Sequence, residues 1–422
     1  MREFDLGDFR IRLGLEGARR YQKVSFPLTY GWRHEVQTPE YVFQYNLNGE
    51  IRYIRGRGQG WPHPSEWLKR TDGFDWIYYG SGGYTDVYDV FGEYYIPYPS
   101  YPTNILGTWN PFGEPAVRRA LQAWAEVPER LAEHKAPDDL APEELGALHG
   151  IIRCTPGRLR EKVRKLSRLL RGRVSVLPPD VRHVDYDCIP LAVAEGCLYN
   201  CLFCRVKSGR SFRQRSSADV QRQVRGLRTL YGPDAANYNS LFLAHHDALN
   251  CDSGHLESAA DQGFEALGLR DSRMEGSNIF LFGSTASLLQ AGDRLFERLQ
   301  ALAAQVYVNV GFESADRETL RALGKPVKAG DVRAAFQRML DVNRRFRSVE
   351  VTGNFVLAPD LSSGHFKGLH RLTAEMPEHR SDKGAVYLSP LHSGNRREQF
   401  RLFREIKRRS RLPVYVYLIL RL

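Results

Sequence analysis

The sequence predicts an α/β fold: an open (βα)6 partial barrel preceded by an aromatic-rich β/α N-terminal region. Three observations predict it. From Ile189 onward, short apolar strands alternate with helical stretches, which is the pattern of a parallel sheet built from βα units. Six such strands can be counted, too few for a closed eight-fold barrel. Before residue 111 the chain instead carries hairpin and strand signals dense in Tyr, Trp and Phe.

Taken in order, Tyr41 to Leu47 alternates apolar and polar side chains, Asn48-Gly49 supplies a two-residue turn, and Ile51 to Ile54 returns as a second strand. Phe74 to Tyr101 holds eleven aromatic residues in 28, broken by Gly80-Ser81-Gly82-Gly83. That stretch is either a stacking platform for a planar substrate or a small core of twisted strands filled by rings. Pro115 opens a helix over Ala116 to Ala125, which Pro128 ends or kinks. Leu140 to Ile152 and Arg158 to Arg171 follow as helices. In the second of these, Leu159, Val163, Leu166 and Leu170 share one face and Gly172 suits the C-cap.

The barrel strands are expected at Ile189–Ala194, Ser240–Ala244, Asn278–Phe282, Gln305–Val310, Val349–Leu357 and Ala385–Leu388. Helices are expected between them, including one continuous helix over Thr285–Ala304 and another over Gly368–Met376. The expected organisation is an aromatic β-rich region at 1–110, a helical basic connector at 111–182, the barrel core at 183–395, and a basic helix with a terminal strand at 396–422. Chemistry belongs at the C-terminal ends of the barrel strands.

Of 422 residues, 42% are hydrophobic and 26% charged, which excludes a mainly disordered, collagen-like or coiled-coil chain. No apolar run is long enough to cross a bilayer and the first residues are charged, so a cytoplasmic protein with no membrane partner is expected. The net charge of +11 is local. Arg153 to Arg182 holds ten basic and two acidic residues, and Arg396 to Arg411 eight and two, so everything else is slightly acidic. These stretches either meet the phosphates of a nucleic acid or are solvated faces and surfaces laid against acidic parts of the same protein.

Six cysteines are too few for a disulfide scaffold. Three of them, Cys197, Cys201 and Cys204, form a C-x3-C-x2-C loop directly after the first barrel strand. Three thiolates can hold three irons of a [4Fe–4S] cluster and leave the fourth iron open to a ligand. A structural zinc normally takes four protein ligands, and no fourth cysteine or nearby histidine completes such a pattern. A zinc site or chance clustering is the alternative.

The segment Glu195-Gly196-Cys197 to Cys204, the aromatic Phe203 before the last cysteine and the βα units behind it resemble the radical S-adenosylmethionine (SAM) superfamily over about Asp185 to His392. The resemblance implies a partial TIM barrel of radical SAM type with one [4Fe–4S] cluster on Cys197, Cys201 and Cys204. It implies SAM chelated at the open iron and reductively cleaved to a 5′-deoxyadenosyl radical, which abstracts hydrogen. An electron donor of flavodoxin or ferredoxin type goes with this chemistry.

At the end of the second strand, where the family has a Gly-Gly-Glu or Asp-Gly-Asp segment touching the SAM amino group, this chain has His245-His246-Asp247; Asp247 matches. His245 and His246 either contact substrate and move protons or are hydrogen-bonded structure. Val310-Gly311-Phe312-Glu313-Ser314 is similar to the Gly-Leu-Glu-Ser-Gly segment of the branch containing tRNA methylthiotransferases and oxygen-independent coproporphyrinogen oxidase. That likeness implies that Glu313 accepts the ribose hydroxyls and Ser314 bonds the methionine part, with Lys325 at a position that is basic in that branch. Asn354 lies on the adenine-flanking strand and Phe203 near the adenine. Ser284 and His392 are expected to face the same opening. Cys251 either donates a hydrogen atom or is a small buried hydrophobe. No Asp-x-His-x-x-Gly cobalamin fingerprint and no cysteine-rich tail is present, which argues against cobalamin-dependent methyl transfer and auxiliary clusters.

Three functions are consistent with these readings. A small-molecule or natural-product substrate enclosed by the aromatic N-terminal region is preferred. RNA (tRNA) modification is the second, motivated by the basic stretches and the Gly-Phe-Glu-Ser segment. A non-catalytic iron–sulfur protein is the third.

Overall fold

A computed structural model describes residues 1–20, 30–62, 64, 66–80, 96–99, 110–174, 176–184, 187–204, 208–391 and 396–417. Its first eight strands follow one another as an antiparallel meander: β1 (Arg2–Leu6), β2 (Phe9–Glu16), β3 (Trp32–Gln37), β4 (Tyr41–Tyr45), β5 (Ile51–Gly56), β6 (Trp67–Arg70), β7 (Trp76–Gly80) and β8 (Ile96–Pro99). Alternation sets the faces: in β2, Phe9, Ile11 and Leu13 are buried while Arg10 between them is exposed. The expected hairpin is β4–β5. Its turn is closed by the Asn46 N–H to the Glu50 carbonyl (2.8 Å) and the Gly49 N–H to the Asn46 carbonyl (2.9 Å). Gly49 has φ +72°, and a Cβ there would stand 2.3 Å from the Gly150 backbone, so only glycine lets this turn seat on the helix beside it.

That helix is the second of three: α1 (Pro115–Ala132), α2 (Pro142–Ile152) and α3 (Pro156–Leu170). Their apolar faces supply Val117, Trp124, Leu148 and Leu159 to one core with Ile11, Phe43, Ile54 and Tyr78 of the sheet. Pro128 neither ends nor replaces α1; it lies buried within it. The left-handed residue closing α3 is Arg171 (φ 53°) rather than Gly172. Phe74, Trp76 and Tyr78 pack into this core, so these three rings of the aromatic stretch are structural filling; residues 81–95, 100 and 101 lie outside the described residues.

The remainder alternates strands and helices. β9 (Ile189–Ala192) is followed by the short antiparallel pair β10 (Ala194–Glu195) and β11 (Arg213–Gln214), then α4 (Ser217–Tyr231), β12 (Ser240–Ala244), α5 (Ser253–Leu267) and β13 (Asn278–Ser284). Next come α6 (Thr285–Gln290), α7 (Asp293–Ala301), β14 (Gln305–Glu313), α8 (Arg317–Ala322), α9 (Ala329–Arg345) and β15 (Val349–Leu357). α10 (Ser363–His370), β16 (Val386–Pro390), α11 (Arg396–Arg409) and β17 (Val414–Val416) complete the series.

β9 and β12 to β17 form one seven-stranded parallel sheet in chain order, a partial barrel. All six expected strands are present, and β17 adds a seventh at the edge, parallel to β16. Buried on both faces, the strands are near-continuously apolar: Leu241, Leu243, Ile279, Phe280, Val308 and Val351 have no exposed surface. Two helical expectations differ. The stretch Thr285–Ala304 is two helices because Ala291 and Gly292 take extended backbone between them. α10 begins at Ser363 and runs into a π-helical turn at Arg371–Glu375, so no α-helix covers Gly368–Met376.

The antiparallel sheet meets the barrel at the end where β12 and β13 begin. Asn46 donates to Asp234 (2.9 Å), and Asn237 exchanges two 2.8 Å bonds with the backbone of Trp32. Beneath them lies a buried ionic cluster. Arg52 pairs with Asp72 (2.8 Å) and with Asp187, Lys69 also reaches Asp187 (3.3 Å), and the Tyr231 hydroxyl donates to Asp72 (2.9 Å). Burial alone would raise the Asp72 carboxyl, but Arg52, Arg70 and Lys162 together hold it below its ordinary range. Arg52→Leu removes the chief cation from two half-buried carboxylates and is expected to cost about 3 kcal/mol. A lowered urea midpoint at unchanged slope would register the loss; an unshifted midpoint would refute it.

Candidate active site

The cysteine loop hangs between β10 and β11, and its path is held by backbone and one asparagine. Gly196 has φ +80°, and a Cβ there would stand 1.9 Å from the Ser211 carbonyl. The Cys197 N–H donates to the Arg210 carbonyl (3.0 Å). Asn200, itself left-handed (φ 46°), donates to the Cys197 and Arg210 carbonyls (3.3 and 3.1 Å) and accepts from the Gly209 N–H (3.0 Å). Asparagine tolerates that conformation better than other side-chain-bearing residues, which is why it can tie the loop's two arms together.

Cys197, Cys201 and Cys204 line one cavity of about 230 Å³ at the C-terminal ends of the barrel strands. Cys201 is buried, and the other two are half-buried. Burial raises the Cys201 thiol, with the Lys325 ammonium opposing the shift. Among the described residues no three His, Cys, Asp or Glu side chains converge as a set for a single metal ion. An all-thiolate donor set of three on one loop, without a fourth ligand, suits a multi-iron cluster better than a structural zinc.

The same cavity is lined by Phe203, His246, Asp247, Ser284, Glu313 and Asn354. Asp247 is 2% exposed. Its Oδ1 accepts from the Ser284 N–H (3.0 Å) and the Ser287 hydroxyl (2.8 Å), while its Oδ2 is buried with no partner. Burial pushes this carboxyl up to about 6 against those hydrogen bonds. Glu313 sits on a bulge of β14 at φ +65°. Lys325 braces it, donating to Glu313 Oε1 (3.3 Å) and the Gly311 carbonyl (2.8 Å), with its ammonium 5.4 Å from the Tyr199 ring centroid. Asn354 is tied across β14–β15 to Asn309, which donates to it (3.2 Å).

Two of the side chains considered are not brought to the cavity. Ser314 does not line the cavity: it is fully buried, its hydroxyl bonded to His365 Nδ1 (2.9 Å) and accepting from the Asp316 N–H (3.1 Å). Glu313 lines the cavity and the next residue does not, so the methionine contact implied for Ser314 has no counterpart in the cavity wall. His245 is also absent from the cavity lining; burial, reinforced by His246 and Arg215, lowers it to about 4. His246 is likewise lowered by burial, but does line the cavity. Cys251 is 6% exposed, lies 3.9 Å from the Val193 carbonyl and has its thiol pushed up to about 12, the environment of a packed small hydrophobe. His392 lies outside the described residues.

Sequence reasoning missed several wall residues, Tyr199, Val176 and Tyr417 among them. Tyr199, within the cysteine loop itself, accepts from the Ala286 N–H (3.0 Å) and was findable by its place between two cysteines. Val176 and Tyr417 also line the cavity; one belongs to the connector and the other follows a strand that was not counted into the barrel.

No protein-family model matches the chain, and no curated protein matches it. Solved structures to which it is similar include a SAM radical enzyme and a SAM-bound protein. The cobalamin-dependent SAM radical enzyme OxsB with aqua-cobalamin bound is 18% identical over 56% of this chain and 34% of its own, at a TM-score of 0.33. This chain thus spans about a third of that protein's length. Methylornithine synthase (PylB) is 12% identical over 55% of this chain and 62% of its own, TM-score 0.32. Streptococcus suis SuiB bound to SAM is 11% identical over 83% of this chain and 71% of its own, TM-score 0.37.

Proposed function

We propose that this chain is a radical SAM enzyme that abstracts hydrogen from an organic substrate. In this reading Cys197, Cys201 and Cys204 hold one [4Fe–4S] cluster, and the adjoining cavity takes SAM. One observation carries it: three thiols share a cavity with a buried carboxylate oxygen that lacks a donor, Asp247 Oδ2, and with a second carboxylate, Glu313, fixed by a lysine. Together, the cluster and SAM would supply one-electron cleavage of the sulfonium to a 5′-deoxyadenosyl radical.

The protein's own part is binding and orientation. Asp247 Oδ2 is an acceptor suited to an ammonium group, its other oxygen already committed to Ser284 and Ser287. Glu313 offers carboxylate oxygens for vicinal hydroxyls, and Lys325 offsets its charge in a place where water is scarce. Asn354 presents the one polar side chain of its strand's ligand-facing wall, and Tyr199 and Phe203 the aromatic ones of the loop. An electron donor of flavodoxin or ferredoxin type belongs to this proposal.

Of the aromatic stretch, Phe74, Trp76 and Tyr78 pack into the N-terminal sheet's own core, and that sheet joins the barrel at the end opposite the cysteines. The decisive experiment is anaerobic reconstitution followed by SAM and dithionite. Formation of 5′-deoxyadenosine is expected; its absence from fully iron-loaded protein would leave the non-catalytic iron–sulfur protein as the correct reading.

A further inference from the structure

A second concavity, about 1300 Å³, opens between the antiparallel sheet, α2, α3 and α4. It exceeds the roughly 300–1,000 Å³ of ordinary small-molecule pockets. Its lining residues Pro233 and Arg273 precede β12 and β13, whereas the cysteines follow β9. Cleft and cysteines therefore lie at opposite ends of a parallel sheet, and only an extended molecule can touch both.

Seven cationic side chains face the cleft against four carboxylates. Lys162 is paired with Glu50 (2.6 Å), Lys165 with Glu161 (3.1 Å) and Arg2 with Asp139. The remaining four, Arg153, Arg158, Arg168 and Arg273, are all arginines and have no carboxylate partner among the described residues. Arg158 and Arg168 are exposed on the cleft side of α3 and lie ten residues apart, roughly 15 Å along the helix axis. Gly226 of α4 admits the Leu169 side chain where a Cβ would stand 2.2 Å from it, so the two helices pack closely at the cleft floor.

Arg273 adds an independent sign of a missing ligand. Its guanidinium lies 3.8 Å from the centroid of the Trp32 ring, and its Nη1 is buried with no hydrogen-bond partner. The backbone that carries Trp32 is fixed, because Asn237 holds its N–H and carbonyl at once. A buried donor left unpaired costs about 1–3 kcal/mol, which an arriving acceptor would recover.

We propose that this cleft binds RNA, with phosphates on Arg153, Arg158 and Arg168 and a nucleotide against the Arg273–Trp32 stack. Planar guanidinium forks match phosphate oxygens bidentately, and basic grooves with aromatic or guanidinium planes are how single strands and loops are held. An acidic polypeptide would use the same charges but not the stack. The site is separate from the cysteine cavity, so binding requires neither iron nor SAM.

The test uses the full chain without iron, a fluorescein-labelled 12-nucleotide mixed-sequence RNA, and labelled poly-glutamate as comparator, followed by anisotropy between 50 and 200 mM salt. RNA binding is expected, weakening with salt. Arg158→Glu with Arg168→Glu should lower the affinity at least tenfold and flatten the log–log salt slope by about 1.4, two single-strand phosphates at roughly 0.7 each. Arg158→Gln with Arg168→Gln should act in the same direction, and is the readout if charge reversal disturbs folding. Trp32→Ala should weaken RNA but not poly-glutamate, whereas Arg401→Glu with Arg404→Glu on α11 should leave RNA affinity unchanged. No binding at 50 mM salt, equal loss in the α11 variant, or poly-glutamate binding as tightly as RNA would each overturn the proposal, the last by assigning the cleft to an acidic polypeptide. Iron loading and SAM cleavage are expected to be the same in the α3 variants as in the parent, so failure here is distinguishable from failure of the proposed chemistry.

Discussion

Cys201→Ala is expected to abolish iron retention and SAM cleavage together. Cys201 is the most enclosed of the three thiols, 8% exposed, and lies between the other two in the loop. Without it, two thiolates remain for a cluster of four irons, and the open coordination position that SAM needs is no longer unique. The fold should survive, since the substitution removes one small, partly polar side chain from a loop tied down by Gly196 and Asn200. Anaerobic reconstitution should therefore take iron from about four per chain to well under one, with thermal unfolding little changed. Cys251→Ala should keep its iron, as that thiol packs against Val193 away from the cavity. Unchanged iron content in Cys201→Ala would refute the assignment.

Asp247→Asn should do two opposite things. The folded carboxyl titrates at about 6, above its ordinary value of 3.8, because burial disfavours the charged form. The folded state thus holds the proton more tightly than the unfolded chain. Its contribution to stability is fully present below the ordinary carboxyl range and is lost as pH rises through about 6. By pH 8 the ionised group costs on the order of 3 kcal/mol, from about two pH units at roughly 1.4 kcal/mol each. Asparagine carries no such penalty and can still accept from Ser284 and Ser287 through its oxygen. The variant should be more stable than the parent at pH 8, with the advantage shrinking toward pH 5. SAM binding should fall at least tenfold, because an amide N–H₂ replaces the unpaired acceptor of a residue in the cavity wall. Calorimetric titration with SAM and denaturant unfolding at the two pH values read both effects. Equal SAM affinity in the variant would remove Asp247 from the site.

The parts of this molecule that the sequence made legible are those encoded locally. Cys197, Cys201 and Cys204 are read from spacing, and Asp247, Glu313 and Asn354 from the resemblance of their strands to those of the radical SAM superfamily; the structure brings all six to one cavity. Ser314 was assigned from the likeness of the Gly-Phe-Glu-Ser segment, which does not show that its hydroxyl is taken by His365 and the Asp316 N–H. The hairpin at Asn48-Gly49 was readable, but not where it docks, since that depends on Asp234 and Gly150 far along the chain. β17 was read as a terminal strand without its partner, because three residues carry too little pattern to show which edge they join.

The cysteine loop and its cavity also differ in how far apart their pieces lie along the chain. Cys197 to Cys204 sit inside a loop closed by a two-residue ladder between Ala194–Glu195 and Arg213–Gln214. The cavity walls, by contrast, extend from Val176 to Tyr417 and need every parallel strand pairing in place. Short loops close at small entropic cost and early, whereas parallel pairings across long crossovers come slowly. A folding chain therefore gathers its three thiols well before it has a compartment beside them, and metal capture and cofactor capture become separable events in its maturation.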